Sequence, residues 1–227
     1  MSHSRFRWAV LAAVYGFSIY VFVRLPFLVG LGPGPVAIPW QWRALTAFFF
    51  PTAALVILLI FKSIMSRDPF RENYPRFRRT FELLLDVATV LIIGVHLTLL
   101  GHNLLILRAG IGRWFMYVPS LLVGATLLVV GNILPRLRPT AAMGVRTPWT
   151  LGDEAVWART HRWGGYLLFA LGVAQVGCTL LAFQWVWLPF FLSAVAVAIV
   201  LPVLSYLLWR PRTNAVSPTI DRPAGND

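Results

Sequence analysis

Long apolar runs alternate with short polar segments along the whole chain. Six of these runs approach the roughly 20 residues that a helix needs to cross the hydrocarbon core of a bilayer. The predicted spans are Trp8–Val23, Ala44–Phe61, Phe81–Leu107, Phe115–Leu134, Gly165–Phe183 and Leu188–Leu208. This pattern predicts an all-α membrane protein with six transmembrane helices and a short amphipathic cytoplasmic helix between the fourth and fifth.

Composition supports this class of protein. Apolar residues make up 58% of the 227 positions and charged residues only 12%, more apolar surface than a soluble domain of this size could bury. A net charge of +12 would suit a nucleic-acid-binding protein, but the basic residues lie in short clusters between apolar runs, as membrane topology requires. We therefore expect contact with the lipid bilayer and no direct contact with nucleic acid.

The chain is predicted to form one membrane domain, residues 1–212, followed by a disordered tail, residues 213–227. The first run lacks a small-x-small cleavage site, so we expect it to remain as an uncleaved span. Cys178 is the only cysteine, which excludes an internal disulfide and a cysteine metal cluster. We expect neither a cofactor nor a metal.

The distribution of basic residues predicts the orientation. With the N-terminus inside, sixteen of the twenty lysines and arginines fall in cytoplasmic segments. The other four are Arg24, Arg43, Arg108 and Arg113. This positive-inside bias predicts that both termini lie in the cytoplasm.

The segment Gly131–Gly165, called the signature loop below, is where the polar positions become specific. Pro135 removes a backbone donor, so the fourth span should end there. Thr150 is a candidate N-cap with Asp153 three residues on, which predicts a helix that starts near Leu151. This helix should lie at the membrane surface and run into the fifth span.

Glu154, Trp157 and His161 share one face of that helix, and two interpretations of them are open. Glu154 and His161 could form an acid/base pair, or Glu154 could pair with Arg146 or another loop arginine while His161 caps or packs the helix. No nucleophile with a supporting base, Gly-rich phosphate loop or HExxH motif is present. We therefore favour the structural interpretation and do not expect an enzyme.

The third span contains a polar stripe that also has two interpretations. Four of its members repeat every seven residues: Glu82, Thr89, His96 and Asn103. Asp86 lies beside them. Ionisable groups at membrane depth are costly, so the stripe could be a proton or solute path. Alternatively, the two acids face Arg78 and Arg79, while His96 and Asn103 form hydrogen bonds between helices.

The signature loop also shows a family resemblance. The sequence GN-x-LP-x-x-R-(x5)-GVRTPWTL-x-x-E-x-VW-x-x-THR-x-x-G resembles the signature of the SdpI family of bacterial integral membrane proteins. The matching positions include Asn132, Pro135, Arg138, Gly144, Arg146, Thr147, Pro148, Trp149, Thr150, Glu154, Trp157 and His161. Thr140 stands where members often have Asn.

The resemblance implies a function. It implies a multi-pass protein of the bacterial cell membrane that gives immunity to a peptide toxin or to membrane stress. It also implies that a cytoplasmic transcriptional repressor is recruited to the basic signature loop. The alternative from the residues alone is a small-solute or proton-coupled transporter that uses the third-span stripe.

Overall fold

The protein is a multi-pass, helical membrane protein. The computed structural model describes residues 3–24, 28–29, 36–37, 39–103, 117–181 and 183–215. Within these residues, six helices are long and apolar enough to cross a membrane, as predicted. The helices are α1 His3–Arg24, α2 Trp40–Arg67, α3 Tyr74–Asn103, α4 Tyr117–Ile133, α5 Pro148–Gly152, α6 Glu154–Leu181, α7 Trp187–Val195 and α8 Leu201–Ala215.

Shorter elements connect these helices. Three 3-10 turns cover Arg71–Asn73, Leu134–Arg136 and Phe183–Trp185. Between α1 and α2, β1 (Leu28–Val29) pairs antiparallel with β2 (Val36–Ala37). The predicted third span and tail reach residues 104–107 and 216–227, which lie outside the described residues.

The sixth span consists of α7 and α8 joined by a π-helical turn, Ala196–Val200. The Leu201 N–H donates to the carbonyl of Ala196, five residues earlier. Pro202 follows, and a proline inside a helix lacks an N–H and crowds the carbonyl four residues before it. The wider turn accommodates this proline without interrupting the span.

Large apolar side chains remain exposed along the described helices. Phe49, Tyr166 and Phe191 are all more than 45% exposed. Exposed apolar surface on this scale is typical of helices that face lipid. It agrees with the predicted contact between this protein and the bilayer.

Among the described helices, α4 and α6 make the most extensive contact. Four glycines lie in this interface. A Cβ atom added at Gly131 would lie 2.5 Å from the backbone nitrogen of Phe169, and one added at Gly165 would lie 2.6 Å from the carbonyl oxygen of Gly131. Gly124, seven residues before Gly131, and Gly172, seven residues after Gly165, lie in the same interface. Only glycine allows the two backbones to approach this closely.

The sequence leaves two interpretations of Gly164 and Gly165: a hinge, or close helix packing to which Gly172 and Gly177 on the same span also contribute. α6 runs through both residues without a break, and both face neighbouring side chains or backbone. The structure therefore supports packing. Gly177, which we expected to contribute to the same interface, has nothing within 4 Å of an added Cβ.

The N-terminal part of α1 and the C-terminal part of the sixth span lie on the side of the signature loop. Arg7 in α1 reaches Glu82 near the start of α3. Ser205 in α8 contacts Trp149 in the signature loop. This arrangement agrees with an even number of spans.

Alanine substitution at Gly131 or Gly165 is expected to destabilise the protein. The added methyl group meets backbone atoms that cannot rotate away, so the helices must separate, at a cost of about 1–3 kcal/mol. The measurement is thermal unfolding of the purified protein in detergent. Gly177→Ala adds the same methyl group to the same helix in open space, so it should leave the melting temperature unchanged. Equal melting temperatures for all three variants would contradict the packing described.

Candidate functional site

The signature loop begins where α4 ends. The helix stops at Ile133, and Leu134–Arg136 forms a 3-10 turn that contains Pro135. The predicted end of the fourth span is therefore confirmed. Asn132 and Pro135 are exposed, and the Trp157 Nε1 donates a hydrogen bond to the Leu137 carbonyl over 2.8 Å. The indole thereby holds the chain directly after the turn.

Thr147, and not Thr150, caps the first helix of the signature loop. The Thr147 side chain accepts from the Thr150 N–H, while the Thr150 hydroxyl accepts from the Thr147 N–H, a reciprocal capping box. The predicted N-cap was wrong because Pro148 takes the first helical position, where its missing N–H costs nothing. Asp153 instead caps α6, with its Oδ1 accepting from the N–H groups of Ala155 and Val156.

Gly144 forms a tight turn against two buried aromatic rings. Its φ is +98°, a backbone conformation that residues with a Cβ rarely adopt. A Cβ here would also collide with the His161 Nε2 and approach Trp157 within about 3.1 Å. The two rings stack with centroids 3.9 Å apart. Gly144 is therefore fixed by both backbone conformation and space.

His161 has hydrogen-bond partners at both ring nitrogens. Its Nδ1 lies 2.8 Å from the Trp157 carbonyl, and its Nε2 accepts from the Val145 N–H over 3.1 Å. The side chain is fully buried. His161 thus packs on the preceding turn of its own helix, α6, and holds the chain beside Gly144. This agrees with the structural interpretation.

Arginine side chains form the exposed face of the signature loop. Arg138 pairs with Glu154 over 2.9 Å, with 54% and 69% of the two side chains exposed. Arg146 donates to the Ala141 carbonyl. Glu154 therefore pairs with another loop arginine, as the structural interpretation allowed, rather than with His161.

Asp68, from the turn between α2 and α3, anchors the middle of the signature loop. Its Oδ2 accepts from the Thr140 hydroxyl (2.8 Å), the Ala141 N–H (2.9 Å) and the Tyr74 hydroxyl (2.6 Å). Its Oδ1 accepts from the Phe70 N–H. Four donors surround one carboxylate that is only 3% exposed, so the two loops are joined at this point.

The donors around Asp68 determine its ionisation. Burial by itself would raise the pKa of this carboxyl, but hydrogen bonds from Tyr74, Phe70, Thr140 and Ala141 outweigh burial and hold the pKa below its ordinary value. Hydrogen bonds to a carboxylate favour its charged form. Asp68 therefore acts as a fixed negative charge between two basic loops.

The sixth span provides a second anchor. The Trp149 Nε1 donates to the Ser205 hydroxyl, and the Thr147 hydroxyl lies 3.1 Å from the same oxygen. The Trp149 ring also contacts Tyr206 and Trp209, with centroids 5.3 and 6.1 Å away. These contacts attach α5 to the end of α8.

The third-span stripe contacts α1, and the predicted partners of its acids were wrong. Arg7 binds both acids, with its guanidinium 2.5 Å from Glu82 and 2.7 Å from Asp86. Arg78 and Arg79 were favoured by sequence proximity, but Arg7 is buried beside the acids.

The rest of the stripe forms hydrogen bonds within the described helices. The His96 Nε2 lies 3.0 Å from the Ser18 hydroxyl of α1, and the Thr89 hydroxyl donates to the Leu85 carbonyl. Both side chains are buried. Asn103 ends α3, and its side chain lies outside the described part of the chain. His96 thus joins two helices, as the structural interpretation proposed.

Comparison with known proteins gives a match that covers most of the signature loop and the start of α8. Residues 136–205 match the model of the SdpI/YfhL protein family. Over these residues the chain is similar to the SdpI/YfhL family. The chain is also 28% identical over 149 residues to "Immunity protein SdpI" of Bacillus subtilis (strain 168), covering 61% of this chain and 67% of that protein. No solved structure matches the chain.

The SdpI family resemblance predicted from the sequence is therefore confirmed. The SdpI/YfhL match begins at Arg136, so Asn132 and Pro135 lie just before it. Gly144, Thr147, Trp157 and His161 fall within it, and the structure brings them together beneath an exposed face that includes Arg138, Arg146 and Glu154.

Sequence analysis missed two anchors of the SdpI/YfhL segment. Asp68 lies outside the match, and Ser205 is its last residue. Asp68 left one signal, since it is one of two acids in a loop that contains six lysines and arginines. Ser205 left none that distinguishes it from other small residues in an apolar span.

Replacing Asp68 with Asn is expected to loosen the signature loop. The amide keeps the shape of the carboxylate but cannot accept from all four donors, at a cost of about 1–3 kcal/mol. Amide hydrogen exchange should show loss of protection at Ala141 and Ala142 with little change in α7. Unchanged exchange at these two amides would contradict the anchor.

The lowered pKa of Asp68 also predicts that its contribution to stability depends on pH. Because the folded-state pKa of Asp68 lies below its ordinary value of 3.8, the stabilisation is fully present above pH 3.8 and is lost as the pH falls through the lower folded-state pKa. The difference in melting temperature between wild type and Asp68→Asn should therefore be constant near neutral pH and shrink below pH 3.8. A difference that grows on acidification would have the wrong sign.

Proposed function

We propose that this protein lies in the cell membrane of a bacterium and gives that cell immunity to a membrane-active peptide toxin. Its similarity to the immunity protein SdpI supports this function. The observation that underlies the proposal is a signature loop that folds into one fixed shape and presents a basic surface at the end of the membrane helices.

The shape of this surface is set from beneath. Five arginines of the signature loop are exposed: Arg136, Arg138, Arg146, Arg159 and Arg162. The chain below them is held by Asp68, Trp157 and His161, all buried. A surface that is ordered before binding loses little conformational entropy when a partner docks.

We also propose that this surface faces the cytoplasm, together with both termini. The positive-inside bias supports this orientation. The contacts of Arg7 with Glu82 and of Ser205 with Trp149 agree with it, since they bring the first and last spans to the same end as the signature loop.

The test of immunity is survival of a toxin-sensitive bacterial host challenged with a membrane-active peptide toxin from the source organism. Cells that express the wild type should survive. The double variant Arg136→Glu, Arg138→Glu should lose protection, because it replaces two of the five exposed arginines with negative charges. Arg138 is more than half exposed, and an exposed ion pair contributes only about 0–1 kcal/mol, so the fold should be retained.

Arg24→Glu is the matched control. Arg24 is an exposed arginine at the opposite end of α1, so the same charge reversal should leave protection intact. Membrane levels of all three proteins are compared by immunoblot. Absence of protection by the wild type would refute immunity, and full protection by the double variant would refute a role for the basic surface.

We further propose that the signature loop recruits a cytoplasmic transcriptional repressor. A fixed cationic surface suits a partner with an acidic face. The proposed signal is a change in docking when toxin binds the membrane domain.

Photocrosslinking in living cells tests this recruitment. A benzoylphenylalanine residue is placed at Arg138 or, as the control, at Arg24, and crosslinked proteins are identified by mass spectrometry before and after toxin challenge. A DNA-binding protein should be captured from position 138 and absent from position 24. Capture of no DNA-binding protein at 138 under either condition would contradict recruitment.

The transporter alternative gains no comparable support. In the described third span, Arg7 pairs with Glu82 and Asp86, and His96 contacts Ser18 in a buried position. These contacts explain the stripe as packing between α1 and α3. We therefore do not propose transport as a function of this protein.

A further inference from the structure

An apolar cavity of about 330 Å³ lies between α2, α3, α4 and the signature loop. Most of its lining side chains are hydrophobic, and they include Phe61, Leu84, Val87, Leu91, Val130 and Met143. Its volume falls in the range of roughly 300–1,000 Å³ that small-molecule sites occupy. Neither the ion pairs nor the hydrogen bonds of the signature loop use this space.

The cavity extends along one face of α3. Leu84, Val87 and Leu91 follow the spacing i, i+3 and i+7, which places them on one side of the helix over about 10 Å of its length. All three are half-buried, so the space is not sealed inside the helix bundle. An apolar site that follows a membrane-spanning helix over this length suits a hydrocarbon chain.

The end of the cavity next to the signature loop has a different chemistry. Gly144 and Arg146 line it. Arg146 is exposed and donates Nη1 to the Ala141 carbonyl. A guanidinium has five N–H donors in a planar fork that matches the geometry of phosphate. The site therefore combines an apolar body with a cationic end.

We propose that this cavity binds an acyl chain of an anionic phospholipid, with the headgroup phosphate held by Arg146. The apolar body lies on spans that contact the bilayer, which supplies lipid chains directly. The cation favours a headgroup with net negative charge over a zwitterionic one. The site shares Arg146 with the exposed basic surface, but the lipid proposal does not depend on the proposed immunity.

Binding at this site would affect the signature loop. Gly144 lines the cavity and also contacts His161 and Trp157 on its other side. A bound chain would support the tight turn at Gly144 from the membrane side. Lipid composition would thereby influence the order of the exposed basic surface.

Photolabelling with a lipid probe tests the site. The full-length protein is reconstituted in phosphatidylcholine nanodiscs that contain a small fraction of phosphatidylglycerol with a diazirine in one acyl chain. After illumination, labelled peptides are mapped by mass spectrometry. Label should concentrate on residues 84–91 and 126–130 relative to the exposed residues 190–192 of α7. Added phosphatidylglycerol should compete, and added phosphatidylcholine should not.

Two pairs of variants separate the chain site from the headgroup site. Ala88→Leu fills the cavity and should abolish the concentrated label, whereas Ala125→Leu makes the same change at an exposed position of α4 and should not.

Arg146→Gln should weaken competition by phosphatidylglycerol about fivefold. Arg159→Gln, at an exposed arginine of α6, should leave it unchanged. Circular dichroism and gel filtration check each fold, and the exposed Arg146 variant decides the test if Ala88→Leu misfolds.

Several outcomes would overturn the proposal. Label spread evenly over exposed helices would exclude a chain site. Equal competition by the two phospholipids, or no effect of Arg146→Gln, would exclude the anionic headgroup. Displacement by free oleate but not by phosphatidylglycerol would indicate a fatty-acid site instead. None of these measurements uses toxin, so their failure is distinguishable from failure of the immunity proposal.

Discussion

The backbone contact between Gly131 and Gly165 is the constraint on which the signature loop depends. These residues are the first and last of the loop, and an added Cβ on either would meet the backbone of the opposite helix. The 35-residue segment therefore leaves and re-enters the membrane helices at one point. Its ends are fixed by packing that requires no polar group, which leaves the polar side chains between them available to shape the loop.

Those polar side chains hold the loop from three directions. Asp68 binds it from the second and third spans, Ser205 from the sixth, and His161 from the start of the fifth. Each contact satisfies buried donors or acceptors that would otherwise lose hydrogen bonds to water. The arginines remain on the outside because buried positions are already occupied by these neutral or acidic groups. An exposed basic surface thus follows from the way the interior is satisfied.

The sequence was sufficient to predict the six spans, because crossing a bilayer requires apolar length, which is a local property. It also located most of the loop that falls within the SdpI/YfhL match, since the residues that carry the resemblance lie close together in the chain. The links that were missed are distant. Thr140 and Asp68 are 72 positions apart, and Arg7 meets Asp86 across 79. No local periodicity specifies such pairs, and charge alone favoured the nearer Arg78 and Arg79. The shifted N-cap had a local cause, since Pro148 determined which threonine could serve.

The anchor at Asp68 has an evolutionary consequence. The family match covers residues 136–205, yet the carboxylate that orders the middle of this segment belongs to the turn between the second and third spans. If the matched segment alone were moved into another protein, the Thr140 hydroxyl and the Ala141 N–H would lack their acceptor, the Asp68 carboxylate. A change near Thr140 is therefore constrained by what stands at position 68, although the two positions lie in different parts of the chain.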